Sequence, residues 1–498
     1  MRPRPHPFAG ASRPSRRRRT VCVGTLGLTL AVAAPAFAQA RLEVGWISLD
    51  PQLPPPNRLD APPGEGWPFE GDRVHWVAHV LNRDAETVAE VPYAWAIDDG
   101  TAVSGAVDLP PGETTVWLTW SWSFERHVVS FRLDPPAETG DARQDDDALS
   151  VFSDALSLGL NVEQDVYDWL LEHDGEGFER LMQNEIDYWN ALFAESVHPT
   201  APEGVLDRIR LDVVHVQPDG TGGSHDEFST DLRWFFPARR SDSRFLHRGM
   251  DPQYRNDQTI VLHELLHGRG ITDLYAYAVY HGDTAYTNSH VGIAEDGRLV
   301  AGTALMPNLS PRSSRVTVYQ TPAFGLMGSR YRKRATNITE HTAFGLNLLA
   351  GRRTPQWFDQ WGNRISLGNA VQPDGYLSLI PERTELRLVA PGGAPIPNAR
   401  VEVFLDVGLH TYQDVYPETP ARVLGADASG VVALPGDLLD ELPFKRDAPP
   451  KSMVVILGVR TTAARGYAFL PVYDLNLLYI RGGRERAEMD LEVELLPR

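Results

Sequence analysis

Apolar and polar residues alternate along most of the chain between residues 41 and 135. The alternation begins at Val74, Trp76, Ala78 and Val80. It predicts strands with one buried face, because successive side chains of a strand point to opposite sides. Three further runs share this period: Tyr93, Trp95 and Ile97; Val116, Leu118, Trp120 and Trp122; and Val129, Phe131 and Leu133. Turn residues separate the runs, so residues 41–140 are predicted to form a β-sandwich whose tryptophans lie in its core.

The pattern changes to helical spacing in residues 150–196. Its apolar residues recur three or four positions apart, which places them on one face of a helix. They are Phe178, Leu181, Met182, Ile186, Trp189, Leu192 and Phe193. A strand is predicted at residues 209–214, and a further helix at about 255–269. We therefore expect an α/β domain over residues 150–355.

Alternation returns in residues 375–498. Strands are predicted around Leu386 and Leu388, around Val401 and Val403, and after the turn at Asp427. Further short apolar runs follow at 454–457, 467–469 and 491–496. The fold class expected for the whole chain is multidomain α+β, with a central α/β domain between two all-β sandwiches.

The first 40 residues have the composition of an export signal. A basic cluster at Arg16–Arg19 precedes an apolar run from Val21 to Ala34, and Ala36-Phe37-Ala38 is a small-x-small cleavage site. We predict a signal peptide and an exported protein, which would be periplasmic, cell-surface or extracellular. The arginine cluster is compatible with twin-arginine export and with the general secretory route.

Charge and cysteine content restrict the partners. Residues 1–40 contain seven of the 47 basic residues and none of the 66 acidic ones, so the remainder has a net charge of −26. Such a surface disfavours nucleic acid and anionic membranes as partners, and no later stretch is apolar enough for a membrane span. The single cysteine, Cys22, lies in the expected signal peptide, so the mature chain would have no disulfides.

Candidate chemistry is concentrated in the helix predicted at 255–269. His263 and His267 are four residues apart and therefore share one helical face, from which both imidazoles can bind one Zn²⁺. Glu264 is adjacent, where a carboxylate can accept a proton from a metal-activated water. Gly270 tolerates the left-handed conformation that often ends a helix. Asp273 follows with a third, oxygen ligand.

This H-E-x-x-H-x-x-G-x-x-D pattern resembles that of metzincin-type zinc peptidases, and the GITDLY segment is similar to immune inhibitor A-type secreted peptidases. The resemblance implies a zincin-type catalytic domain, one catalytic Zn²⁺ bound by His263, His267 and Asp273, and Glu264 as the general base. It also implies a methionine turn beneath the metal. Met327 is the candidate, with a helix following at 338–351, and Met306 is the alternative.

The flanking β modules have resemblances of their own. The stretch GDRVHWVAHVLNRD and its continuation resemble bacterial adhesion-related immunoglobulin-like modules. The segment APIPNARVEVF with ADASGVVALP resembles carboxypeptidase-regulatory, transthyretin-like β-sandwiches. Both resemblances imply accessory modules rather than chemistry.

Several site assignments have alternatives. Glu340 could be the third ligand, as in zinc peptidases that use a glutamate on a later helix, and His281 or His290 could also take this place. Tyr331 could stabilise an oxyanion, although its spacing from Met327 departs from the family pattern. The run Asp145–Asp147 could contribute to a Ca²⁺ site, or it could be a solvated linker.

The expected function is zinc-dependent hydrolysis of peptide bonds in a protein or peptide substrate, through a metal-activated water. One alternative is an exported binding or adhesion protein in which the zinc is structural, closed by a fourth protein ligand. Another is hydrolysis of a non-peptide amide. The sequence indicates neither the substrate specificity nor the oligomeric state.

Overall fold

The computed structural model describes the two β modules most fully and the central domain in separate segments. The expected signal peptide, residues 1–40, lies outside the described residues. Those are 42–50, 68–134, 147–174, 177–219, 232–234, 261–263, 265–266, 271, 278–281, 292–293, 299–300, 302–304, 316–320, 325–328, 337–350, 379–405, 414–417, 419–441 and 454–497.

Seven strands are described in the N-terminal module. They are β1 (Leu42–Asp50), β2 (Arg73–Asn82), β3 (Val88–Ile97), β4 (Gly100–Leu109), β5 (Gly112–Ser121), β6 (Val128–Leu133) and β7 (Ala148–Phe152). All pair antiparallel in two sheets, with orders β1-β2-β5 and β4-β3-β6-β7. Their inward residues share one apolar core, in which Trp76, Trp95 and Trp122 are almost fully buried. The predicted all-β sandwich and the core position of these tryptophans are confirmed.

The predicted helical character of residues 150–196 is wrong in its first part. Residues up to Phe152 belong to β7, and β8 (Leu156–Glu163) follows. All eight residues of β8 are buried, although its sequence LSLGLNVE alternates apolar with polar or small residues. That period-2 signal was overlooked in the helical prediction. The helices are α1 (Gln164–Asp174) and α2 (Gly177–Glu195). The spaced apolar residues of α2, including Phe178 and Trp189, are buried as expected.

A parallel sheet lies beside these helices. β9 (Ile209–Gln217) and β10 (Leu232–Trp234) each pair parallel with β8, in the order β10-β8-β9. Parallel neighbours need a crossover connection, which α1 and α2 supply between β8 and β9. This part of the central domain is therefore α/β, whereas a zincin fold as such remains a prediction.

The rest of the central domain is described in short elements. Residues 261–263 and 265–266 are helical and belong to a helix called α3. The strands β11–β13 and β15 form a sheet of order β13-β12-β11-β15, and a 3₁₀ turn at Leu326–Gly328 precedes α4 (Glu340–Leu349). The strands are β11 (Ala278–His281), β12 (Gly292–Ile293), β13 (Leu299–Val300), β14 (Gly302–Ala304) and β15 (Val316–Gln320).

The C-terminal module is a second sandwich. It contains β16 (Arg383–Val389), β17 (Arg400–Phe404), β18 (Asp414–Tyr416), β19 (Arg422–Gly425), β20 (Val431–Pro435), a 3₁₀ helix (Gly436–Glu441), β21 (Val454–Arg460), β22 (Ala464–Pro471), α5 (Val472–Ile480), β23 (Ala487–Glu492) and β24 (Leu496–Pro497). Its two sheets have the orders β20-β16-β23 and β19-β17-β21-β22-β24, while β18 pairs with β14. The predicted flanking sandwich is confirmed, but α5 departs from the all-β expectation.

The central domain shares its apolar core with both flanking modules. Leu262, Met327 and Leu346 lie in this core together with residues of α2 and β8. Trp46 and Leu81 enter it from the N-terminal module, and Phe404, Val454, Ile456 and Tyr473 enter it from the C-terminal module. Because shared burial of this kind stabilises both partners, neither module is simply appended to the central domain.

Among the described helices, none combines the length and the apolar character that crossing a membrane would require.

Candidate metal centre

Helix α3 presents one apolar side to the core. Val261, Leu262 and Leu266 are buried there, and Leu265 packs against the same core from a partly buried position. His263 is only 4 % exposed. This burial holds the first histidine of the motif inside the protein, as the amphipathic pattern of the sequence predicts.

The ring of His263 has a defined orientation. Its Nδ1 lies 3.0 Å from the carbonyl oxygen of Leu326. A carbonyl can only accept, so Nδ1–H must donate, and the neutral imidazole then carries its lone pair on Nε2. Metal-binding histidines characteristically donate their other ring N–H to a carbonyl or carboxylate, which sets tautomer and ring direction.

The end of α3 also follows the sequence pattern. The N–H of Ile271 donates to the carbonyl of Leu266, with an N–O distance of 3.1 Å. A bond across this span closes helix ends of the Schellman type, in which the residue before the donor is usually a left-handed glycine. The sequence has Gly270 at that position, which lies outside the described residues. Leu266 and Ile271 are both buried in the central core.

Met327, the candidate for the methionine turn, lies in the 3₁₀ turn at Leu326–Gly328. Met327 is completely buried, in the same core as Leu262 and Leu266. Its neighbour Leu326 supplies the carbonyl that accepts from His263. The turn is therefore joined to α3 both by packing and by one hydrogen bond. Met306, the alternative, lies outside the described residues.

Glu340, the alternative third ligand, is held at the start of α4. Nη2 of Arg481 donates to its Oε2 at 2.6 Å, and the hydroxyl of Thr200 donates to Oε1 at 3.1 Å. Burial would raise the pKa of this carboxyl, but the hydrogen bonds from Arg481 and Thr200 outweigh it and hold the pKa below its usual value. The carboxylate is thus ionised and paired with an arginine.

The remaining predicted site residues are not described. Glu264, His267, Gly270 and Asp273 lie outside the described residues, as do His290 and Tyr331. His281 ends β11, but its side chain is not described. Of the suggested calcium run, Asp145 and Asp146 also lie outside. In the part of the chain that the structure covers, no group of three or more histidine, cysteine or acidic side chains could hold a metal ion.

The sequence did not reveal which groups hold His263 and Glu340 in place. The Leu326 carbonyl is a backbone group, so its type leaves no signal in the sequence. Arg481 reaches Glu340 from 141 positions away, and no local pattern connects them. Only the turn itself had a signal, namely Met327.

A separate cavity of about 380 Å³ lies between β7, α2 and β9. Its polar lining includes Gln183, Asp187 and Arg208. Burial raises the pKa of the Asp187 carboxyl, partly offset by Arg180. The cavity is lined by none of the described residues of α3, the 3₁₀ turn or α4, so we do not assign it to the metal centre.

Comparisons with known proteins give no family. No protein-family profile matches the chain, and no curated protein matches it. Among solved structures, the CARDB domain of a Pyrococcus furiosus protein in complex with di-metal ions is similar over 23 % of this chain and 93 % of its own, at 12 % identity and a TM-score of 0.17.

Two further structures have similar values. A domain of a Methanosarcina acetivorans protein titled as a cell-surface protein covers 21 % of this chain and 83 % of its own, at 15 % identity and a TM-score of 0.15. Chlorocatechol 1,2-dioxygenase from Pseudomonas putida covers 22 % and 59 %, at 16 % identity and a TM-score of 0.14. TM-scores this low do not establish a common fold.

Proposed function

We propose that this protein is an exported zinc-dependent peptidase whose metal is bound by His263, His267 and Asp273. The observation that carries the proposal is the hydrogen bond from His263 Nδ1 to the carbonyl of Leu326, the residue before Met327. It joins the helix that carries the first histidine of the H-E-x-x-H motif to the turn that contains the buried Met327. The same family resemblance predicts both features.

The donor chemistry fits a zinc ion. The bond at Nδ1 selects the tautomer with an Nε2 lone pair, the form in which histidine binds zinc. Two imidazoles and one carboxylate form a catalytic ligand set, whereas a structural site has four protein ligands. When bound, zinc supplies Lewis acidity to a carbonyl and to water.

The residues of the chain have distinct roles in this proposal. His263 and His267 would hold the metal together, because their four-residue spacing predicts that they share one helical face, and Asp273 would complete the set at the motif spacing. Glu264 accepts a proton from the attacking water and delivers it to the leaving amine nitrogen. The apolar burial of α3 and Met327 keeps the helix face in a fixed direction.

Asp273 is preferred over Glu340 as the third ligand. The negative charge of Glu340 is paired with Arg481, and its carboxylate receives a further hydrogen bond from Thr200. A zinc ligand at this position would have to give up or share those contacts. Asp273 lies at the motif spacing.

The substrate proposed is a protein or peptide outside the cytoplasm. Export rests on the basic and apolar pattern of residues 1–40. The acidic composition of the remainder argues against nucleic acid.

The test is the Glu264→Gln variant. We expect it to retain stoichiometric zinc and to lose hydrolysis of an unfolded, fluorescence-quenched protein substrate by at least about 100-fold, since the general base contributes that much or more. Zinc content is measured by elemental analysis. His263→Ala should lose the zinc itself.

Glu195→Gln is the matched control, because it makes the same change at the exposed end of α2. Wild-type activity in Glu264→Gln would disprove the assignment of the base. Stoichiometric zinc in a wild-type protein that cleaves no peptide would favour the structural-zinc alternative, or hydrolysis of another amide.

A further inference from the structure

The 3₁₀ turn that carries Leu326 is fixed to the segment before α4. Leu326 N–H donates to the carbonyl of Asn337 at 3.0 Å. Gly325 has φ +56°, and a Cβ there would lie 2.7 Å from the Asn337 oxygen and 2.8 Å from Thr339 Cγ2. Only glycine fits this approach. The position of the Leu326 carbonyl therefore depends on where residues 337–339 lie.

Residues 337–339 are in turn fixed at the start of α4. The carbonyl of Ile338 accepts from His198 Nε2–H at 2.8 Å. Thr339 is the N-cap of α4, where its hydroxyl oxygen accepts from the N–H of Thr342. Capping holds this entry in one conformation. Any movement of the α4 N-terminus would thus be passed to the turn.

The C-terminal module holds that N-terminus. Arg481, the C-cap of α5, contacts both carboxylate oxygens of Glu340, the first residue of α4. Its Nε lies 3.3 Å from Oε1 and 3.1 Å from Oε2, and its Nη2 lies 2.6 Å from Oε2. A planar guanidinium on a carboxylate fixes direction as well as distance.

A second contact supports the first. Nδ1–H of His341 donates to the side-chain carbonyl of Asn476 on α5 at 3.2 Å, and its ring lies 5.9 Å from that of Tyr473. Asn476 also donates to the carbonyl of Leu379 at 2.9 Å. Two successive residues of α4 are therefore anchored to α5.

We propose that Arg481 is a positioning residue for the metal-binding histidine, acting through Glu340, the α4 N-terminus and the Leu326 carbonyl on His263. This inference rests on the proposed zinc function. It changes the role of the C-terminal sandwich, which the sequence suggests is accessory. The module would keep the metal-binding imidazole in one tautomer and one direction.

Arg481→Gln tests the proposal through metal affinity, measured by competition between the full chain and a fluorescent chelator for Zn²⁺. Replacing a direct outer partner of a metal ligand typically weakens binding 10- to 100-fold. Arg481 acts through more links, so we expect about 5- to 10-fold weaker binding. Arg481→Lys retains the positive charge but loses the planar guanidinium that contacts both carboxylate oxygens. Its zinc affinity should lie between those of Arg481→Gln and the wild type.

The Co²⁺-loaded protein provides a second readout. A change in ligand direction should alter the visible d–d absorption of Arg481→Gln, whereas a loss of stability alone should not. Peptide hydrolysis should fall in kcat, with KM little changed, because no substrate contact is removed.

Arg387→Gln is the matched control within the same module. Arg387 makes an equally bidentate pair with Asp490 on the exposed face of β16 and β23. Its zinc affinity and cobalt spectrum should equal those of the wild type. All measurements are made well below the thermal midpoints of the variants. Thr200→Val removes only one hydrogen bond to Glu340, so it should weaken zinc binding less than Arg481→Gln does.

The outcomes separate the inference from the proposed function. Wild-type zinc affinity and cobalt spectrum in folded Arg481→Gln would overturn the positioning role while leaving the peptidase proposal intact. An equal loss in Arg387→Gln would also overturn it, because the effect would then be a general one of the module. A wild-type protein that binds no zinc would overturn both.

Discussion

Each flanking module meets the central domain through an arginine, and the two junctions differ in burial. On the N-terminal side, Arg83 follows β2 and contacts Glu43, Tyr167 and Glu179, with its side chain 12 % exposed and those of Glu43 and Glu179 only 4 % and 2 %. On the C-terminal side, Arg481 is 48 % exposed and its partner Glu340 is 7 % exposed.

The environment of the first junction shifts its ionisable groups strongly. Burial lowers the pKa of Arg83, but Glu179 and the other partners outweigh this and raise it above the usual value. Burial, followed by Glu179, raises the pKa of Tyr167. The N-terminal junction thus resembles a protein interior, and its integrity matters for stability.

At the second junction, the arginine side chain is more exposed to solvent than at the first. Exposed or half-exposed ion pairs contribute little to stability, because solvent screens them. Arg481 and Glu340 nevertheless lie at the start of the hydrogen-bond path that ends on His263. If the proposed positioning role of Arg481 holds, an ion pair of low energetic weight can still matter for geometry.

Arg83→Gln should have the largest effect on stability. It leaves the carboxylates of Glu43 and Glu179 buried without their cation, and breaking a buried pair in this way costs about 3–5 kcal/mol. Urea unfolding followed by tryptophan fluorescence measures the loss. Zinc affinity of the folded variant should remain that of the wild type.

The double variant Arg83→Met with Glu179→Gln should recover part of this stability, because it removes a buried charge together with its partner. A loss in Arg83→Gln below about 1 kcal/mol would mean that the two junctions are energetically alike.

His341 gives an intermediate, pH-dependent effect at the second junction. Burial lowers the pKa of His341 to about 4, although the bond to Asn476 opposes this, while the unfolded chain titrates near 6.5. The unfolded state therefore binds the proton first as pH falls. The contribution of the neutral His341 ring to the free energy of unfolding is fully present above pH 6.5. It is lost as the pH falls towards 4, by up to about 3 kcal/mol.

His341→Gln should abolish the part of the pH dependence that lies in this window, measured as urea midpoints between pH 7 and 4.5. His75→Gln, a histidine change on β2, should preserve it. The lowered pKa of Glu340 adds a loss only at lower pH, below its usual 4.5. A wild-type protein whose stability stays constant from pH 7 to 4.5 would contradict the buried, neutral state of His341.

Arg387→Gln should have the smallest effect. Arg387 and Asp490 are about equally exposed, at 56 % and 55 %. We expect a thermal midpoint indistinguishable from that of the wild type by calorimetry, because exposed pairs often contribute nothing measurable. A clear destabilisation would show that the exposure of an ion pair does not predict its contribution to stability, and the contrast between the two junctions would then fail.

The sequence predicted those elements whose pattern is local. The spacing of Phe178 and its successors predicted α2, and alternation at Val74–Val80 predicted β2. Met327 was found from its place after the motif, and it lies in the core beside α3. For the helix and the strand, the information lies within a few neighbouring residues.

Two elements were missed for different reasons. The alternation of β8 (LSLGLNVE) was overlooked because the helical pattern of the following residues was extended over it. In contrast, α5 is so apolar that no polar stripe marks it as helical. The pairing of Glu340 with Arg481 depends on the folded positions of two distant helices. The roles of His267, Asp273 and Glu264 remain predictions from the motif.

The order of strands in the C-terminal sandwich affects the order of events during folding. β21 lies in the middle of the five-stranded sheet, and β23 pairs parallel with β16, yet both are synthesised long after α4. Such long-range pairings form late, because their loop-closure entropy must be overcome first. In the sequence, Arg481 lies between β21 and β23. We therefore expect the Arg481–Glu340 ion pair to form only when the C-terminal sandwich is complete. In the proposed peptidase, the metal centre would then be completed only at the end of folding, when the rest of the chain is already folded and resists cleavage.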